Sequence, residues 1–161
     1  MDCRIEEKDS FFIIGFSKRV RLQFEGENAE IGKLAARITP DIAEKLKSLN
    51  DEQPYGILNV SANFSARTEE GSSLDQYIGV AASQPCPDFD CLKVPASVWA
   101  VFTARGAYPA ALQQAWADIY AKWLPSSGYA LTGGPEILRN LDSDFTATDF
   151  ASEIWIPVQR A

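Results

Sequence analysis

The last third of the chain, residues 108–160, combines a helical pattern with a strand pattern, and this combination limits the possible folds more than any other feature. Apolar residues recur there at helical spacing: Leu112, Trp116, Ile119 and Trp123. This spacing predicts one buried stripe on a helix. The closing segment Glu153–Val158 instead alternates, which predicts a strand with two different faces. One face carries Ile154, Ile156 and Val158, and the other carries Glu153, Trp155 and Pro157.

Similar patterns upstream predict the remaining elements. Apolar and β-branched runs predict strands over residues 11–22, 55–64, 74–82, 92–103, 129–131 and 136–141. The apolar spacing over residues 28–49 predicts a helix. Pro40 is expected to kink or split it, because proline cannot donate the helical hydrogen bond. A second helix begins at Tyr108-Pro109 and ends at Leu124-Pro125, where Gly128 can adopt a left-handed turn.

The order of these elements is β-α-β-β followed by β-α-β-β. We therefore predict an α+β fold, a duplicated β-α-β-β unit with a mostly antiparallel sheet and two helices packed on it. A single domain over residues 1–161 would contain half-repeats at roughly 1–82 and 92–161. A central ligand cleft is expected between the two halves.

Composition excludes several functions. The net charge of −7 disfavours direct nucleic-acid binding and favours cationic small molecules. The chain has no histidine, which excludes a Ser-His-Asp or Cys-His nucleophile and a histidine-ligated metal, and no phosphate-binding glycine loop is present. We predict neither a metal nor a cofactor.

Cysteine usage and hydropathy bear on the cellular location. The three cysteines, Cys3, Cys86 and Cys91, are odd in number and irregularly spaced, which predicts free thiols in a reducing compartment. No apolar run approaches the ~20 residues that a membrane-spanning helix needs, and the first residues lack a signal-peptide pattern. We expect a cytoplasmic protein that does not contact a membrane.

Several segments together resemble the GyrI-like family. They are Ile5–Lys8, Phe12–Phe16, Tyr77–Val80, Val94–Ala96 with Trp99–Phe102, Trp123–Tyr129 and Glu153–Val158. The resemblance implies a bacterial small-molecule-binding domain, which also occurs as the effector domain of multidrug-sensing transcription regulators. It implies a stand-alone member, with no DNA-binding segment ahead of the domain. Such members include cargo proteins of mobile elements, proteins that moderate toxin effects on gyrase, and a few hydrolases.

The resemblance also implies a pocket. Glu153 matches the acidic position on the family's last strand, and Trp155 matches the aromatic position beside it. The family's buried glutamate and tyrosine on the preceding strand are replaced by Leu138 and Asn140. Glu136 is the nearest acid, and strand parity keeps it on the face of Leu138.

Other aromatic residues are candidates for the same cleft. Trp99 and Tyr77 lie on predicted strands, where a place in the cleft and a place in the core are equally plausible. Trp116 belongs to the helical stripe, so core packing is the better interpretation, although one edge could reach the cleft. Met is too rare for a methionine-rich binding surface.

Three functions fit these observations. The first is binding of amphipathic, cationic organic molecules, because a cation relieves the cost of a carboxylate in an apolar cleft and contacts the indole face favourably. The second is hydrolysis of reactive small molecules, with Glu153 and either Tyr77 or Tyr129 activating water. The third is regulation through a separate DNA-binding or toxin-target protein. The alternative is that these residues form no binding site, with Glu153 solvated beside a partly covered Trp155.

Overall fold

In the part of the chain that the structure describes, nine strands form one sheet, and helices pack on it. The computed structural model describes residues 2–23, 28–66 and 69–161. The strands are β1 (Cys3–Lys8), β2 (Phe11–Arg21), β3 (Leu58–Ala62), β4 (Ser73–Ala82), β5 (Asp90–Val94), β6 (Ser97–Arg105), β7 (Tyr129–Leu131), β8 (Glu136–Asn140) and β9 (Ala151–Arg160). The helices are α1 (Ala29–Ala36), α2 (Pro40–Leu49), α3 (Ala110–Asp118), a π-helical turn (Ile119–Trp123) and α4 (Leu124–Ser127). The predicted α+β class and the antiparallel sheet are confirmed.

The two edges of the sheet are formed in the same way. The strand order is β1-β6-β9-β8-β3-β4-β2-β5, and β7 pairs with the end of β9. The short strand β1 precedes β2 in the chain but pairs with β6. In the same way β5 precedes β6 but pairs with β2. Each edge strand therefore completes the part of the sheet formed by the other half of the chain, and the half-repeats themselves stay a prediction.

One face of the sheet closes on itself to form an apolar core, which we call the inner face. Phe11 of β2 and Trp99 of β6 lie in distant positions of the strand order, yet their ring centroids are only 6.4 Å apart. The sheet must therefore curve strongly. The buried residues of the inner face are Phe11, Ile13, Leu58, Val60, Ala81, Val94, Trp99, Val101, Ile137 and Trp155.

The helices cover the opposite face of the sheet. The predicted stripe on α3 and the π-helical turn is confirmed, because Leu112, Trp116, Ile119 and Trp123 pack against β6 and β9. The predicted division of β9 is also confirmed. Ile154, Ile156 and Val158 lie in this helix-side core, whereas Trp155 lies on the inner face.

The split at Pro40, one of its two predicted effects, is confirmed, whereas several other predicted boundaries were wrong for local reasons. Pro40 begins a separate helix, with the Thr39 hydroxyl accepting a hydrogen bond from the Ile42 amide at 3.4 Å. The strand predicted over residues 92–103 is two strands, because Pro95 lies between them and has no N–H for the ladder. The second helix continues past Pro125 to Ser127, and Gly128 then adopts the predicted left-handed conformation.

The strand predicted over residues 55–64 is shorter in the structure, and β1 was not predicted. Only Leu58–Ala62 pairs as β3, and Cys3–Lys8 forms β1, which the residue patterns did not predict. Within the described residues, every helix falls short of the length and hydropathy that a membrane span requires.

A pair of glycines lets β2 and β4 approach closely. Gly15 and Gly79 lie opposite each other in the antiparallel register. A Cβ atom added to Gly79 would overlap the carbonyl oxygen of Ile14, and one added to Gly15 would overlap that of Ile78. Both positions therefore require glycine for steric reasons.

Candidate functional site

A buried carboxylate lies on the inner face of β9. Glu153 is only 6% exposed, and it alternates with Ile154, which faces the helices. The indole Nε1 of Trp155 donates a hydrogen bond to Oε1 of Glu153 at 2.7 Å. Nη1 of Arg4 donates to Oε2 at 3.2 Å, and Nη1 of Arg139 lies 3.7 Å from Oε1. Two hydrogen-bond donors and a second guanidinium thus surround this carboxylate.

The guanidinium of Arg4 reaches the site from the edge strand β1. Its Nε donates to Oε1 of Glu6 at 2.6 Å, and its Cζ lies 5.6 Å from the centre of the Trp155 ring. Hydrogen bonding to Glu6 raises the pKa of Arg4, burial opposes this, and Glu153 adds to the increase. The guanidinium is therefore fully charged where it covers the indole.

Two indoles pack together on the inner face, and one of them, Trp155, contacts the carboxylate. Trp99 and Trp155 pack edge to face, with ring centroids 6.1 Å apart. Trp99 is fully buried, and in the part of the chain that the structure describes its Nε1 has no hydrogen-bond partner. An unsatisfied buried donor costs about 1–3 kcal/mol.

Tyr77 borders the same core from β4. Its half-buried ring packs against the inner-face residues, opposite Ser17 in the register. Burial raises the pKa of the Tyr77 phenol, and the charges of Asp75 and Asp90 add to the increase. The phenol is neutral at physiological pH and can act as a hydrogen-bond donor.

Glu136 and Trp116, two further candidates, lie on the helix side and not on the inner face. The hydroxyl of Tyr120 donates to Oε2 of Glu136 at 2.6 Å, and Trp116 stacks on Tyr120 with ring centroids 6.2 Å apart. Strand parity explains the separation, because Leu138 packs in the helix-side core and Glu136 shares its face. The structure brings Glu153, Trp155 and Trp99 together, but not these two.

The hydrogen bond between Tyr120 and Glu136 permits a test of this separation. We expect Tyr120→Phe to lower the free energy of unfolding by about 1–3 kcal/mol, because a buried carboxylate loses a short donor. Urea denaturation measures this change. Affinity for any ligand of the inner face should stay unchanged, and a large loss of affinity would place Glu136 in the site after all.

Sequence reasoning missed Arg4 and Arg139. No local pattern indicates that β1 pairs with β6, where Arg4 lies opposite Val101. Arg139 lies opposite Glu153 in the pairing of β8 with β9. Alternation alone does not give this register, because shifting one strand by two residues keeps the same faces together.

The arrangement suits recognition of a cation more than a reaction. Both oxygens of Glu153 accept hydrogen bonds from charged or indole donors, so the carboxylate is not free to activate water. The indole faces attract cations with about 0.5–2 kcal/mol. No group of three or more cysteine, aspartate or glutamate side chains within the described ranges is placed to hold a metal ion.

These features define the class of protein: an α+β domain with helices on one face of a curved sheet and an acidic, aromatic inner face. The chain belongs to the GyrI-like family, because the model of the GyrI-like small molecule binding domain matches residues 1–159. Comparison with curated proteins gives no significant match.

Solved structures share the fold. SAV2435, determined bound to tetraphenylphosphonium, has a TM-score of 0.75 and 21% identity, covering 99% of this chain and 94% of its own. A putative transcription regulation protein of Staphylococcus aureus MU50 has a TM-score of 0.71 and 22% identity, covering 99% of both chains. An integron cassette protein of Vibrio cholerae has a TM-score of 0.61 and 16% identity, covering 98% of this chain and 95% of its own.

Proposed function

We propose that this domain binds amphipathic organic cations at its inner face. One observation carries the proposal: a guanidinium already lies against the buried carboxylate of Glu153 and over the ring of Trp155. The same surroundings would stabilise a ligand cation. Glu153 supplies the opposite charge, Trp155 and Trp99 supply aromatic contacts, and Tyr77 borders the site.

Charge and apolar burial would act together in this site. A lipophilic cation gains both the attraction of the carboxylate and the burial of its apolar groups beside the two indoles. The net charge of −7 also raises the local concentration of cations. The similarity to SAV2435, which was determined with tetraphenylphosphonium, supports this class of ligand. Glu136 and Trp116 are left out of the proposed site, since they lie on the helix side.

Three compounds of similar shape test the proposal. The protein is titrated with tetraphenylphosphonium, with its anionic counterpart tetraphenylborate and with neutral triphenylphosphine oxide, while tryptophan fluorescence is followed. We expect saturable quenching at micromolar concentrations with the cation alone, because the other two compounds cannot pair with Glu153.

Salt provides the control for nonspecific attraction. A response that disappears at moderate ionic strength would reflect the overall negative charge of the surface, whereas a buried ion pair is screened much less. Equal affinity for the neutral compound, or no saturable response to the cation, would contradict the proposal.

A further inference from the structure

We propose that Arg4 determines which cations this domain accepts, because its guanidinium occupies the cation position and a ligand must displace it. This inference rests on the proposed function. It assigns to a residue of the edge strand β1 the role of an internal competitor. A cation would then bind only when it interacts with Glu153 and the indoles better than a guanidinium does.

The contacts of Arg4 are those expected of a ligand. Nη1 pairs with Glu153 at 3.2 Å, and Cζ lies 5.6 Å from the centre of the Trp155 ring. Arg139 also approaches Glu153, but at 3.7 Å. The described contacts place Arg4, rather than Arg139, over the indole. Arg4 therefore occupies both parts of the proposed site, the carboxylate and the aromatic face.

The local structure allows Arg4 to leave without unfolding the core. Its side chain is 48% exposed, whereas that of Glu153 is 9% exposed. Among the described strands β1 lies at the edge of the sheet and pairs with β6 alone. The guanidinium can move into water while the carboxylate stays in place.

Glu6 provides a position for the displaced guanidinium. It accepts a hydrogen bond from Nε of Arg4 at 2.6 Å, and its side chain is 32% exposed. Arg4 and Glu6 are two positions apart on one strand, so both project from the same face. Arg4 can keep this exposed ion pair after it has left Glu153, which lowers the cost of displacement.

This competition selects a class of ligand. A guanidinium is already a delocalised, weakly hydrated cation that stacks well on aromatic rings. Small ammonium ions are strongly hydrated and add little apolar contact, so they would not displace it. Cations with several aromatic or aliphatic groups around the charge gain burial that Arg4 lacks. The expected ligands are thus lipophilic cations and not amino acids or simple amines.

Calorimetric titration of three proteins with tetraphenylphosphonium tests the inference. The proteins are the wild type, Arg4→Met and Arg139→Met. The two variants carry the same net charge, but only the first removes the group over Trp155. We expect Arg4→Met to bind about tenfold more tightly than wild type, and Arg139→Met to gain about threefold at most. Arg4→Lys should also bind more tightly than wild type, by a smaller factor, which provides a second test if the methionine variant does not fold.

The outcomes separate the two proposals. If wild type binds the cation and neither Arg4 variant binds it more tightly, this inference is overturned and the proposed function stands. Equal gains in Arg4→Met and Arg139→Met also overturn it, because they would reflect charge alone. If no protein binds, both proposals fail. Binding by Arg4→Met alone would support the role of Arg4 as a competitor but contradict the proposed function, because the wild-type site would then reject this cation.

Discussion

Replacing Gly79 with alanine is expected to destabilise the domain by about 3 kcal/mol or more. The added Cβ would overlap the carbonyl oxygen of Ile14, a backbone atom of the facing strand. Backbone cannot rotate away as a side chain can, so β2 and β4 must separate at the middle of their pairing. Urea denaturation followed by circular dichroism measures the loss.

Gly32 provides the matched control for this substitution. It lies in α1, and an added Cβ there meets nothing within 4 Å. Alanine favours the helix over glycine by about 1 kcal/mol, so Gly32→Ala should be neutral or stabilising. A Gly79→Ala protein as stable as wild type would contradict the close approach of the two strands.

The second large effect is expected for ligand binding. We expect Glu153→Gln to weaken binding of tetraphenylphosphonium about tenfold or more. The variant also loses the pairing with Arg4 in the free protein, but Arg4 is half-exposed and partly compensated by water. A cation buried beside Trp155 depends far more on the carboxylate, because it has lost its own hydration. Calorimetric titration compares the two proteins.

Glu136→Gln is the control for this variant. Glu136 is equally buried, at 6% exposure, but it faces the helices and pairs with Tyr120. Its neutralisation should change the affinity by no more than about twofold. An equal loss in both variants would indicate that the overall charge, and not contact with Glu153, governs binding.

The parts of the fold that were predicted correctly depend on local periodicity. The alternation in Glu153–Val158 determined which residues of β9 share a face, and the spacing from Leu112 to Trp123 determined the buried stripe of the second helix. Both patterns reflect the direction of side chains from a regular backbone, which neighbouring residues define.

The parts that could not be predicted depend on pairing between distant segments. No pattern within Cys3–Lys8 indicates that this strand crosses to β6, so Arg4 was not recognised at the site. Parity correctly placed Glu136 on the face of Leu138. The alternation of β8 does not, however, indicate which of its two faces the helices cover. That choice depends on how β8 pairs with β9.

The exchanged edge strands have a consequence for the integrity of the domain. A cut between β4 and β5 would leave each fragment with an edge strand whose one described partner lies in the other fragment, since β1 pairs with β6 and β5 with β2. Each half thus supplies an edge strand to the other half, as in a strand-swapped dimer joined into a single chain. Neither half contains a complete sheet, and Arg4 and Glu153 meet only because of this exchange.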